Sequence, residues 1–237
     1  MFLLHLFITT QGGESLPSQP FLIYEFHCKD YQQLEQLIRP GDIIAFGGNS
    51  IFSRWAKLTT RSVVTHLAIV IETKTPSGNP QKPVHQIFES TYYGGNSGVM
   101  INRLCERIAS YDGNIWWLPL TEQNRHTFSL NQSECMAFLR AQLHKPYDIW
   151  QLFGSTIDAT DNLPFFKYLS YNVEDLSQWF CSELIAVALR MSKLLHSINA
   201  SECTPIDICQ LAIYQANYTQ IRGFKTPILG FNSVQPA

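Results

Sequence analysis

A chain of 237 residues with 45% hydrophobic and 15% charged residues can bury a full core, which excludes a disordered or fibrous protein. Its formal net charge of −2 supplies no basic field to gather nucleic acid or an anionic membrane surface, so nucleic-acid binding is set aside. The six cysteines (Cys28, Cys105, Cys135, Cys181, Cys203 and Cys209) are scattered without a Cys-x-x-Cys pair; they signal no zinc site and read as mostly free, buried thiols, which favours a cytoplasmic setting.

The opening "MFLLHLFITT" is apolar but shorter than the roughly 20 residues a membrane span needs, and it lacks the basic start of a secretory signal. If it is a clipped signal, a secreted or periplasmic location stays open. Residues 1–20, ending in "QGGESLPSQP", are expected to be a leader, and residues 21–237 a single domain. "YQQLEQLI" has helical spacing and is stopped by Pro40 and Gly41, after which "DIIAF" reads as a buried strand. "GGNS" occurs at 47–50 and again at 94–97; neither copy is followed by Gly-Lys-Ser/Thr, so both read as turns and not as a phosphate loop. Ser50 is placed to cap a short helix over "IFSRWAKL".

"VVTHLAIVIE", residues 63–72, is β-branched and apolar and predicts a strand; after a loop rich in Pro, Gly and Asn, "VHQIFES" is its returning partner. "GVMINRL" and "NIWWLPL" predict two more strands. From residue 131 the period changes: "NQSECMAFLRAQLHK" carries apolar residues at 136, 139 and 143 and predicts a helix that Pro146 ends. Residues 150–178 are aromatic and irregular. A helix then follows Cys181, and a last one starts in "TPIDICQLAIYQ" with Thr204 as N-cap, Pro205 at its first position and Asp207 in its first turn. Helices packed on a mainly antiparallel sheet make the fold class α+β.

Three residues carry a possible chemistry. Cys181, read at a helix N-terminus, would have its thiolate stabilised by unpaired N–H groups and the helix dipole; the bland reading is a packed core thiol. His66 lies inside a run of Val, Leu, Ala and Ile, where a polar ring is out of place unless its face is a site, although a hydrogen-bonded structural His is the commoner case. With a hairpin loop centred near 77 or 78, Glu89 falls close to opposite His66 and can hold the second ring nitrogen. A register slip of one residue would reverse that face.

In this order and spacing, "RPGDIIAF", "THLAIVIE", "IFES", "KPYDIW", "WFCSELIAVAL" and "TPIDI" resemble the circularly permuted NlpC-like, papain-fold cysteine hydrolases of the YiiX and YaeF type, related to the LRAT-like branch, over residues 37–210. The resemblance implies a papain-like sheet or half-barrel packed against helices, with Cys181 as nucleophile, His66 as general base and acid, Glu89 as the group orienting His66, and Tyr147 of "KPYD" lining the site or meeting the oxyanion. It implies a thioester acyl-enzyme with no metal or other cofactor, acting as an amidase or peptidase on a peptide or cell-wall-type amide. The alternatives are a lipid acyl hydrolase or acyltransferase, and an inactive binding protein of the same fold. The partner is accordingly a peptide or an acyl lipid; the oligomeric state is left open.

Overall fold

A computed structural model describes residues 27–28, 31–49, 62–74, 83–144, 173–196, 199–200 and 203–235. The expectations for the leader, for Ser50 and its helix, for Tyr147 and Pro146, and for most of the aromatic stretch lie outside these residues.

In chain order the elements are β1 (His27–Cys28), α1 (Tyr31–Leu34), β2 (Ile43–Gly48), β3 (His66–Lys74), β4 (Val84–Tyr93), β5 (Asn96–Arg103), α2 (Leu104–Ser110), β6 (Gly113–Leu118), α3 (Glu122–Gln142), α4 (Val173–Met191), α5 (Pro205–Gln210) and β7 (Thr219–Arg222). The strands form one sheet in the order β1-β7-β6-β2-β3-β4-β5. Its pairings are antiparallel except for that of the two-residue β1 with β7, so the class is α+β. The predicted strands over "DIIAF", "VVTHLAIVIE", "VHQIFES", "GVMINRL" and "NIWWLPL" correspond to β2 to β6; β1, β7 and α2 had no counterpart among the expected elements.

Alternation along the strands divides the core in two. Ile43, Ala45, Leu67, Ile69, Phe88, Trp116 and Leu118 face the layer built by α3, α4, α5 and the C-terminal residues around Tyr214 and Phe231. Ile44, Phe46, Ala68, Val70, Ile87, Ile115 and Trp117 face the opposite side, where Leu34, Ile38 and Leu104 close a thinner layer. The central strands are therefore covered on both sides, which is why β2 reads as an unbroken apolar run with every residue buried.

Two glycine-containing stretches differ in their use. The second "GGNS" makes the tight β4–β5 turn, with Gly94 and Gly95 at φ +61° and +83°. The first does not begin with a turn: Gly47 and Gly48 complete β2. A side chain at Gly47 would collide with the carbonyl of Val63, so glycine here lets the segment entering β3 lie against β2. The predicted start of α5 is present, with the Asp207 carboxylate accepting from the Thr204 N–H at 2.8 Å and its hydroxyl at 2.6 Å. The helix is six residues long and ends at Gln210. α3 begins nine residues earlier than the expected segment, at Glu122, where Thr121 accepts from the Asn124 N–H at 3.1 Å.

Candidate active site

His66 is the first residue of β3 and is buried, at 5% exposure. Its ring lies 5.2 Å from that of Phe46, its partner in β2. Glu89, on β4, pairs with Ala68 in the β3–β4 ladder, two residues from the expected pairing with His66. A two-residue offset preserves the face, and His66 and Glu89 meet, Nε2 to Oε2, at 2.8 Å. An ionised carboxylate can only accept, so Nε2 carries the proton; in the neutral ring Nδ1 is then the basic nitrogen. Nδ1 is buried and finds no hydrogen-bond partner among the described residues.

Glu89 is fully buried and saturated. Its Oε1 accepts from Asn102 Nδ2 at 2.8 Å and Arg107 Nε at 2.8 Å, and its Oε2 accepts from Arg107 Nη2 at 3.2 Å besides His66. Burial alone would raise its pKa, but the His66 hydrogen bond, the Arg107 charge and the Asn102 amide outweigh it and hold the carboxyl at about 2. Arg107 is itself enclosed, its guanidinium carbon 4.6 Å from the Tyr93 ring centre and 5.5 Å from those of Phe46 and Tyr111. Three rings and a bidentate carboxylate replace the water that a buried cation would otherwise lose.

Cys181 does not sit where the sequence reading put it. α4 begins at Val173, so the thiol lies two turns inside the helix and not in its first turn. "VEDLSQWF" contains no Gly or Pro to delay the helix start, and the dipole argument for a stabilised thiolate falls with that position. Cys181 is fully buried, and burial pushes its thiol up to about 12, although the N–H groups of Leu67, Ser182 and Cys181 itself pull the other way. The β3–β4 register begins at Ala68, so the Leu67 N–H lies beyond the last rung of that ladder, and this N–H faces the sulfur. The helix thus delivers Cys181 to the peptide that joins His66 to Leu67, where the charge of Glu89 is felt at the thiol.

The structure joins His66 to Glu89 directly and packs Cys181, from the thicker layer, against the adjacent Leu67 backbone, without a hydrogen bond between Cys181 and His66 Nδ1; Tyr147 falls outside the described residues. Sequence reasoning missed Asn102, Arg107 and Tyr111. Arg107 had left a sign: it stands three residues after Leu104 in "LCERIAS", a core position of a short helix, where a cation needs a buried partner. The hydroxyl of Tyr111 bonds to the Thr65 side chain, and burial raises its pKa. Cys105, Cys135, Cys181, Cys203 and Cys209 are thiols and not halves of disulfides. Among the described residues no group of three His, Cys, Asp or Glu side chains is placed to hold a metal, and no helix is long and apolar enough to cross a membrane. No family model matches the chain, and no curated protein matches its sequence.

Proposed function

We propose that the chain is a cysteine hydrolase of the permuted NlpC-like, papain-fold type, in which His66 takes the proton of Cys181 and Glu89 fixes the ring that does so. The observation that carries this reading is the buried imidazole whose Nε2–H is tied to Glu89 and whose basic Nδ1 is left without a described partner, one residue from the N–H that faces the Cys181 sulfur. Most buried polar atoms in folded proteins have a partner, so the unpartnered Nδ1 favours a working role for the ring.

Burial disfavours the thiolate, so Cys181 rests as the thiol. The proton passes to Nδ1 as the sulfur attacks the substrate carbonyl. The Leu67 N–H, which bonds the sulfur at rest, would pass to the oxyanion as the sulfur commits to the carbonyl. Collapse to a thioester expels the amine, which takes the proton from the imidazolium. Water then gives a proton to Nδ1, attacks the thioester and releases the acid with the thiol restored. A peptide or cell-wall-type amide is the first choice of substrate, and a lipid acyl ester the second.

The test is acylation by a p-nitrophenyl acyl ester, located by mass spectrometry, beside turnover of a panel of dipeptide amides. The expected adduct is on Cys181, with the rate lowered about 10²- to 10⁴-fold in His66→Ala. Failure on every amide with good ester turnover would move the assignment to a lipid acyl hydrolase. An unmodified Cys181, with His66→Ala and Cys181→Ser indistinguishable from wild type, would leave a non-enzymatic binding protein.

A further inference from the structure

Glu89 receives four hydrogen bonds, and half of them come from one residue. The donors divide evenly: Asn102 Nδ2 and Arg107 Nε on Oε1, His66 Nε2 and Arg107 Nη2 on Oε2. Each oxygen thus meets one of the arginine's two donors and one from another side chain, so the carboxylate has no rotational freedom left to follow the imidazole. Arg107 is equally immobile, its guanidinium held over the rings of Tyr93, Phe46 and Tyr111. Helix α2, which carries it, is pinned at its carbonyl end by Arg222 of β7, whose guanidinium meets the carbonyls of Ile108 and Ala109.

We propose that Arg107 is the positioning residue of the site: by clamping Glu89 through two bonds it fixes His66 in the Nε2–H tautomer, and it makes a carboxylate obligatory at position 89. The second half follows from donor counting. A glutamine at 89 would turn an NH2 toward Arg107 whichever way its amide lay, setting donor against donor. Without Arg107 the conflict disappears. The carbonyl of the introduced glutamine would then take the His66 N–H, and Asn102, by rotating its own amide, would offer its oxygen to the glutamine NH2. The consequence for turnover rests on the hydrolase reading; the consequence for the tautomer does not.

The experiment combines Arg107→Met, Arg107→Lys, Glu89→Gln and the double variant Arg107→Met/Glu89→Gln. For each, ¹⁵N shifts report the protonated nitrogen of His66, and p-nitrophenyl ester acylation at Cys181 reports the site. Wild type is expected in the Nε2–H form. Arg107→Met is expected to mix the tautomers and to slow acylation about tenfold, with Arg107→Lys intermediate; Glu89→Gln should slow it about a hundredfold, and the double variant should return to within about tenfold of wild type. A wild-type tautomer and rate in Arg107→Met, with only its melting temperature lowered, would overturn the proposal, as would a double variant as slow as the product of the two singles. Should Arg107→Met fail to fold, Arg107→Lys decides: a wild-type tautomer and rate there would overturn the clamp, since one ammonium cannot reproduce two fixed bonds. If the tautomers behave as expected but wild-type Cys181 is never acylated, the clamp stands and the hydrolase reading fails.

Discussion

Two fully buried carboxylates, Asp42 and Glu89, are each met by an arginine. Asp42 accepts from the Arg39 N–H and Trp117 Nε1 at 2.9 Å, the Leu120 N–H at 3.1 Å and Arg125 Nη2 at 2.9 Å. These donors tie the turn after α1 to the end of β6 and the start of α3, and among them no group could serve as a base. Glu89 instead has an imidazole among its donors, and that imidazole has a second nitrogen still to use. The pKa directions part company too. Burial raises Asp42 despite Arg125, whereas at Glu89 the His66 hydrogen bond, then the Arg107 charge and the Asn102 amide, outweigh burial and bring the carboxyl down to about 2. A buried carboxylate is a clasp when its donors end with it, and part of a site when one of them leads on.

The largest effect that can test this contrast is the loss of the clasp. Asp42→Ala leaves Arg125, an indole and two backbone N–H groups facing a void, and is expected to lower stability by about 3–5 kcal/mol in urea denaturation. The folded fraction should acylate Cys181 at the wild-type rate. A slowed rate in molecules shown to be folded would mean that the Asp42 and Glu89 centres act as one.

Acid comes next. The folded pKa of Glu89 lies below its unfolded value of about 4.3, so its contribution is full above that pH and disappears as pH falls toward 2, a loss on the order of 3 kcal/mol. Asp42 runs the other way. Its folded pKa is raised, so ionisation opposes folding as pH climbs through and above about 3.9, and acidification returns that stability. Denaturation of wild type and Glu89→Gln at pH 6 and pH 3 isolates the contribution of Glu89: the gap between them should narrow in acid. A gap that widens would mean that Glu89 is not held ionised by its neighbours.

How far these centres could be read beforehand differs residue by residue. His66 and Glu89 were legible because each is a polar letter in an apolar strand pattern; the register that puts them on one face is set by an irregularity between Val70 and Glu72, which shifts the ladder by one residue and which no letter announced. The turn at Gly41 was legible too; its φ of +91° and the closeness of Phe128 allow little else. Cys181 was read at a helix N-terminus and lies two turns inside the helix, since helix starts depend on capping and packing that the aromatic run before it does not encode. Arg107 and Asn102 were missed because their meaning lies in a carboxylate more than ten residues away in sequence. The short β7 escaped notice as well, "TQIR" being too brief and too polar for a period to emerge, yet its Arg222 supports the helix that carries Arg107.

That last residue gives the smallest and most discriminating test. Arg222→Ala removes a cation from the carbonyl end of α2 and is expected to cost about 1–2 kcal/mol, within the range of partly buried helix-terminus interactions. If the helix serves chiefly to present Arg107, the variant should also slow Cys181 acylation, by less than Arg107→Met does, and sodium chloride should not restore it, because the lost contacts are directed bonds to carbonyls and not a screened field. Full acylation with the same loss of stability would mean that α2 holds its place through Leu104 and its packing on β4 alone, and that the support for Glu89 ends at Arg107.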